Sequence, residues 1–94
     1  MDETRLKRLR FRAWRRGFRE ADLILGPFAD RYGPSLTEVQ LVAFETLLEQ
    51  PDPDLYDWIV GRTDPPESFD SDVLSMIRAF HLDARLAREG DLGA

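Results

Sequence analysis

Apolar residues recur along this chain at intervals of three and four, and nowhere alternate as a half-buried strand would, so the pattern predicts helices. Leu6, Leu9, Ala13 and Trp14 share one stripe, which makes Thr4 to about Trp14 an amphipathic helix with arginines on its outer face. Gly17 interrupts the pattern. A second run, Phe18 to about Tyr32, places Ala21, Ile24, Leu25 and Phe28 on one side. Within it, Gly26-Pro27 is expected to bend or break the helix, because proline removes a backbone hydrogen bond and crowds the preceding turn. Gly33-Pro34 ends the run.

Start signals are clearer in the second half. Thr37 and Gln40 form a capping box and Leu36 can staple onto Leu41, so a third helix begins just after Thr37 and continues through Phe44 and Leu48 until Pro51. Asp52 followed by Pro53 reads as an N-cap with proline at the first helical position, opening a short helix through Leu55, Trp58 and Ile59 that stops at Gly61. Arg62 to about Ser68, with Pro65-Pro66, reads as a loop. The last helix, about Ser71 to Arg88, carries Val73, Ile77, Phe80 and Ala84 on one stripe, ahead of a polar tail expected to fray. Five short helices with connections of roughly 2–8 residues make a small all-α bundle. It forms a single domain over residues 1–94, with flexible ends expected at 1–3 and about 87–94.

Length and composition narrow the chemistry. A domain of 94 residues buries only about 60–65% of the surface its unfolded chain exposes, leaving few side chains for an elaborate active site. The absence of Cys excludes disulfides, a thiolate nucleophile and a zinc-thiolate centre. His81, the one histidine, lies beside the apolar stripe of the last helix and reads as a partly buried, hydrogen-bonded side chain rather than a ligand or catalytic base. Gly26, Gly33 and Gly61 are isolated, each beside a helix end or a proline, and read as punctuation rather than a phosphate-cradling loop. Asp52, Asp54 and Asp57 lack the spacing of a calcium loop; Asp52 serves as a cap, and Asp54 gains from the positive helix end. No apolar stretch approaches the roughly 20 residues of a membrane span, so stable membrane insertion is not expected. The balance favours a monomeric binding or scaffolding domain without a catalytic site, metal or cofactor of its own.

The distribution of charge says more than the total of −5. Residues 1–20 hold eight basic side chains against three acidic ones, a net of +5, while the remainder nets −10. The opening Met-Asp-Glu argues against a mitochondrial transit peptide, since those are poor in acids and rich in serine, and a cytoplasmic location is expected. Arginine's planar fork suits carboxylates and phosphates, which favours specific docking over diffuse attraction; roughly half of these arginines are expected to pair with the acidic body. Arg15-Arg16-Gly17-Phe18-Arg19-Glu20 stands out because it joins two helices, bears four charges and has a glycine where the backbone must turn or be approached closely. A helix-capping glycine followed by a glutamate that favours the next helix dipole would produce the same residues.

Arg16-Gly17-Phe18-Arg19-Glu20 resembles the RGxxE motif of the succinate dehydrogenase assembly factor family, the small flavinator proteins. The resemblance extends in family order: Arg15 before the motif, Asp22 and Pro27-Phe28 after it, Phe44-Glu45-Thr46-Leu47-Leu48 like the central helix, and Pro53-Asp54-Leu55-Tyr56-Asp57-Trp58 like the DPDLYxW segment. Phe18 stands where the family often has methionine, one apolar residue for another. The resemblance implies a five-helix protein that binds the flavoprotein subunit of succinate dehydrogenase, and that of the related fumarate reductase, and promotes covalent attachment of FAD to a client histidine. The FAD belongs to the client. By the same resemblance Arg16, Gly17 and Glu20 form the contact surface, with Arg15, Phe18 and Arg19 around them.

Competing readings remain at this level. Arginines interleaved with Phe11, Trp14 and Phe18 could track a nucleic-acid backbone and stack bases, but the net negative charge and the lack of a recognition-helix motif weigh against nucleic acid. An antitoxin-like partner of a membrane protein ranks lower, and an enzyme with Glu20 or His81 as general base lower still.

Overall fold

The computed structural model describes residues 3–93. Five α-helices follow one another: α1 (Glu3–Trp14), α2 (Arg19–Tyr32), α3 (Glu38–Leu48), α4 (Asp52–Val60) and α5 (Asp72–Gly93). Short 3-10 turns at Gly33–Ser35 and Glu67–Phe69 lie after α2 and before α5, and no strand occurs among the described residues. The fold is the expected all-α bundle.

The core follows from the stripes. Leu9 and Ala13 of α1, Ile24, Leu25 and Phe28 of α2, Leu41, Phe44 and Leu47 of α3, Leu55 and Ile59 of α4, and Val73, Leu74 and Ile77 of α5 are all buried together. Phe28 is the hub. Its ring meets Phe44 edge-on at 5.4 Å, Phe80 edge-on at 5.8 Å and Tyr32 at 5.1 Å, so α2, α3 and α5 converge on one side chain. Full burial of such a ring contributes about 1.5–3 kcal/mol, with edge-to-face contacts adding to it.

Helix α3 begins as its capping box requires: the Thr37 hydroxyl accepts from the Gln40 amide at 3.1 Å, and the Gln40 side chain accepts from the Thr37 amide at 3.0 Å. Gly61 ends α4 at φ +83°, and the loop beyond it brings Phe69 back to stack on Trp58 at 5.3 Å.

Four local expectations are corrected. Helix α2 is continuous across Pro27 rather than broken there. The residue before the proline is Gly26, which offers no Cβ for the ring to strike. That glycine is also more than punctuation: a Cβ added to it would lie 2.2–2.6 Å from the Trp14 ring, so its bareness lets α1 and α2 pack closely. Asp52 is the first residue of α4 rather than its cap, which falls on Pro51 and makes no side-chain capping bond; the Asp52 carboxylate is engaged elsewhere. Helix α5 runs to Gly93, past the expected end near Arg88, and Ala84 at the end of its apolar stripe is exposed. Ala84, Leu86 and Ala87 favour helix, which lets the helix outrun the surface that could cover it. Of the flexible ends expected at 1–3 and about 87–94, Met1, Asp2 and Ala94 lie outside the described residues.

Candidate functional site

The connection between α1 and α2 is short, charged and held from below. Gly17 adopts φ +83°, the left-handed region that costs other residues about 1–2 kcal/mol, and a Cβ placed on it would meet nothing within 4 Å. The glycine is therefore required by the turn and also presents bare backbone outward. Phe18 follows in extended conformation as the N-cap of α2, half-buried, its ring edge-on to Tyr56 at 5.4 Å. Asp22 closes the turn: its carboxylate accepts from the Arg16 amide at 3.1 Å, while its own amide donates to the Phe18 carbonyl at 2.9 Å.

Arg16 and its neighbours part company here. The Arg16 side chain is only 8% exposed. Its Nε donates to Asp52 Oδ1 at 2.5 Å, and its two terminal nitrogens donate to the carbonyls of Leu48 and Gln50 at 2.5 and 2.6 Å. The Leu48 carbonyl lies at the C-terminal end of α3, where the helix dipole is negative, the Gln50 carbonyl lies two residues beyond it, and Asp52 opens α4, so one guanidinium ties the α1–α2 turn to the α3–α4 corner. Arg15, Gly17, Arg19 and Glu20 are exposed. Of the six residues singled out from the sequence, these four share the open surface. Phe18 anchors the turn to α4, and Arg16 braces it from inside.

The other basic residues divide in a similar way. Arg5 bridges Glu45 at 2.6 Å and Glu38 at 2.7 Å; its hydrogen bond holds the Glu45 carboxyl below its ordinary value, against the opposing effect of burial. The same carboxylates hold the Arg5 guanidinium well above its ordinary value. Arg10 lies 3.5 Å from Asp30. With Arg16–Asp52, three of the eight basic residues of the first twenty form ion pairs among the described residues. Arg15 instead lies over the exposed ring of Phe11, 5.1 Å from its centroid. Trp14 packs over Gly26 and donates to Asp30 at 3.1 Å, and Phe18 packs on Tyr56, so of the three aromatics considered for stacking bases only Phe11 stands well clear of the body.

Beside Glu20 an apolar groove of about 420 Å³ opens between α2 and α5, walled by Leu23, Ile24 and Pro27 on one side and Phe80, His81 and Ala84 on the other, with Tyr56 of α4 also lining it. Sequence reasoning missed this feature. The available signal was the spacing Glu20, Leu23, Ile24, Pro27, a second stripe on α2 beside the one that fills the core. Among the described residues, no cluster of metal-ligating side chains is present, and no helix is long and apolar enough to cross a membrane.

Fold and site together define a small all-helical domain that displays a braced, charged helix–helix turn next to an apolar groove. Comparison with known proteins then gives the family. Residues 7–81 match the family described as flavinator of succinate dehydrogenase, and the chain belongs to that family. It is 42% identical over 72 residues, 77% of this chain and 51% of the relative, to the mitochondrial succinate dehydrogenase assembly factor 2 of Dictyostelium discoideum. The chain thus spans about half the length of that relative. It is also 38% identical over 87 residues to the FAD assembly factor SdhE of Acetobacter pasteurianus, covering 93% of this chain and 77% of the relative. Against SdhE of Legionella pneumophila (strain Lens) it is 40% identical over 78 residues, 83% of this chain and 96% of the relative.

Proposed function

We propose that this protein is an assembly factor that binds the flavoprotein subunit of succinate dehydrogenase, and that of fumarate reductase, in the cytoplasm, and promotes covalent attachment of FAD to a histidine of that client. Family membership supports this reading, and the observation that carries it is the turn at Gly17: exposed backbone in a left-handed bend, with Arg15, Arg19 and Glu20 outward and Arg16 fixed below.

The protein acts as a non-catalytic helper, a monomer with no cofactor of its own. The client histidine and the client's own FAD would supply the bond-making atoms of flavinylation, so what this chain can contribute is positioning. Rate is then gained by holding the two groups in near-attack geometry within the client, an effect that can be worth several kcal/mol. The α1–α2 turn supports this by docking rigidly. Gly17 lets the client approach the backbone, Arg15 and Arg19 engage its acceptors and Glu20 its donors, while Arg16 keeps the turn from yielding. Arg16 thus acts on the client through the turn instead of gripping a client carboxylate.

The test is expression of the flavoprotein with Gly17→Glu, Glu20→Ala or Arg16→Ala, followed by measurement of flavin fluorescence retained on the denatured client. Gly17→Glu is the most damaging, because it places bulk and an unpaired charge at the point of closest approach. Full retention of flavin with all three variants overturns the site.

A further inference from the structure

The groove between α2 and α5 extends the proposed contact surface beyond the turn. Glu20, Leu23, Ile24 and Pro27 fall at i, i+3, i+4 and i+7, so one face of α2 lines the groove continuously, and Phe80, His81 and Ala84 of α5 face it. Leu23, at the edge of the cleft, is 58% exposed. The volume of about 420 Å³ falls in the range of pockets that bury a ligand or several side chains. Two observations say what fills it. Glu20 is the carboxylate at its rim, and no Lys or Arg lines it among the described residues, so the electrostatic complement is a cation. The groove is also continuous with the Gly17 turn, through Glu20 itself and through Phe18, whose ring packs on Tyr56.

We propose that this groove seats an amphipathic helix of the client flavoprotein, whose apolar face packs against Leu23, Pro27, Phe80 and Ala84 and whose Lys or Arg pairs with Glu20. The mode is helix-in-groove recognition, in which apolar anchors supply affinity and the charge fixes register. It rests on the client-binding reading above and adds a second, apolar contact to it.

The experiment titrates flavin-free client subunit against the full-length protein and its variants, with far-UV circular dichroism as a check on folding. Leu23→Asp and Ala84→Glu change exposed positions, and each is expected to weaken binding about tenfold or more while leaving the melting temperature near that of the parent. Leu23→Ala weakens it less, and Glu20→Arg reverses the charge and weakens it as strongly. Leu82→Asp, an exposed position outside the groove, leaves affinity unchanged. If Leu23→Asp and Ala84→Glu bind as the parent does while Gly17→Glu does not, the groove proposal falls and the client-binding role stands. If the parent protein fails to bind the subunit, both fall.

Discussion

Arg16→Ala separates a brace from a contact. The substitution deletes three charge-assisted donors at once and leaves Leu48 O, Gln50 O and the Asp52 carboxylate without them. Charge-assisted bonds contribute about 1.5–3 kcal/mol each, which would suggest a loss of about 4.5–9 kcal/mol if nothing compensated. Two effects reduce it. The guanidinium borders an open groove that it shares with Phe11, Arg12 and Pro51, so water reaches the abandoned acceptors, and the rotamer freedom of the arginine, worth about 1.5–2 kcal/mol, is no longer lost on folding. A net loss of about 3 kcal/mol results, a large share of the roughly 5–15 kcal/mol available to a small domain. At about 4–8 °C per kcal/mol this lowers the melting temperature by roughly 12–24 °C, measured by circular dichroism in parallel with client flavinylation. Asp52→Asn removes the charge of one partner but keeps an oxygen that can accept from Arg16 Nε, and leaves the two carbonyl bonds, so it costs less; the double variant is less than additive because both changes act on the same pair. If Arg16→Ala melts within about 3 °C of the parent yet abolishes flavinylation, the brace is refuted and Arg16 meets the client directly.

Three further outcomes are expected. Gly26→Ala forces the Trp14 ring from its seat, costing about 1–3 kcal/mol and altering tryptophan fluorescence. Gly17→Ala has steric room but not the right backbone preference, so it costs about 1 kcal/mol in urea unfolding, and a cost of several would show that the turn is crowded. The Glu45 carboxyl is held below its unfolded value, so its contribution to stability is present above about pH 4.5 and is lost as the pH falls through its depressed folded value. Glu45→Gln should therefore flatten the decline in melting temperature below pH 4.5, and an unchanged acid limb would remove the Arg5–Glu45 pair from the stability of the fold.

The number, type and order of the helices could be read from the chain because they depend on local periodicity and on caps whose partners lie three or four residues away, as Thr37 and Gln40 do. The motif around Gly17 was legible for the same reason: a left-handed turn between helices selects glycine whatever surrounds it. What each residue of that motif does was not legible. Arg16 looks like Arg15 and Arg19 in sequence, and only packing sets it apart, by bringing the end of α3 and the start of α4 under it across more than thirty residues of chain. Asp52 was mistaken for a cap because its sequence neighbours favour one, whereas a guanidinium from the distant α1–α2 turn was the stronger partner. The groove beside Glu20 was legible only in part: the stripe Glu20, Leu23, Ile24 and Pro27 marks one wall, but which helix faces it, and how far away, is decided by the packing of α5.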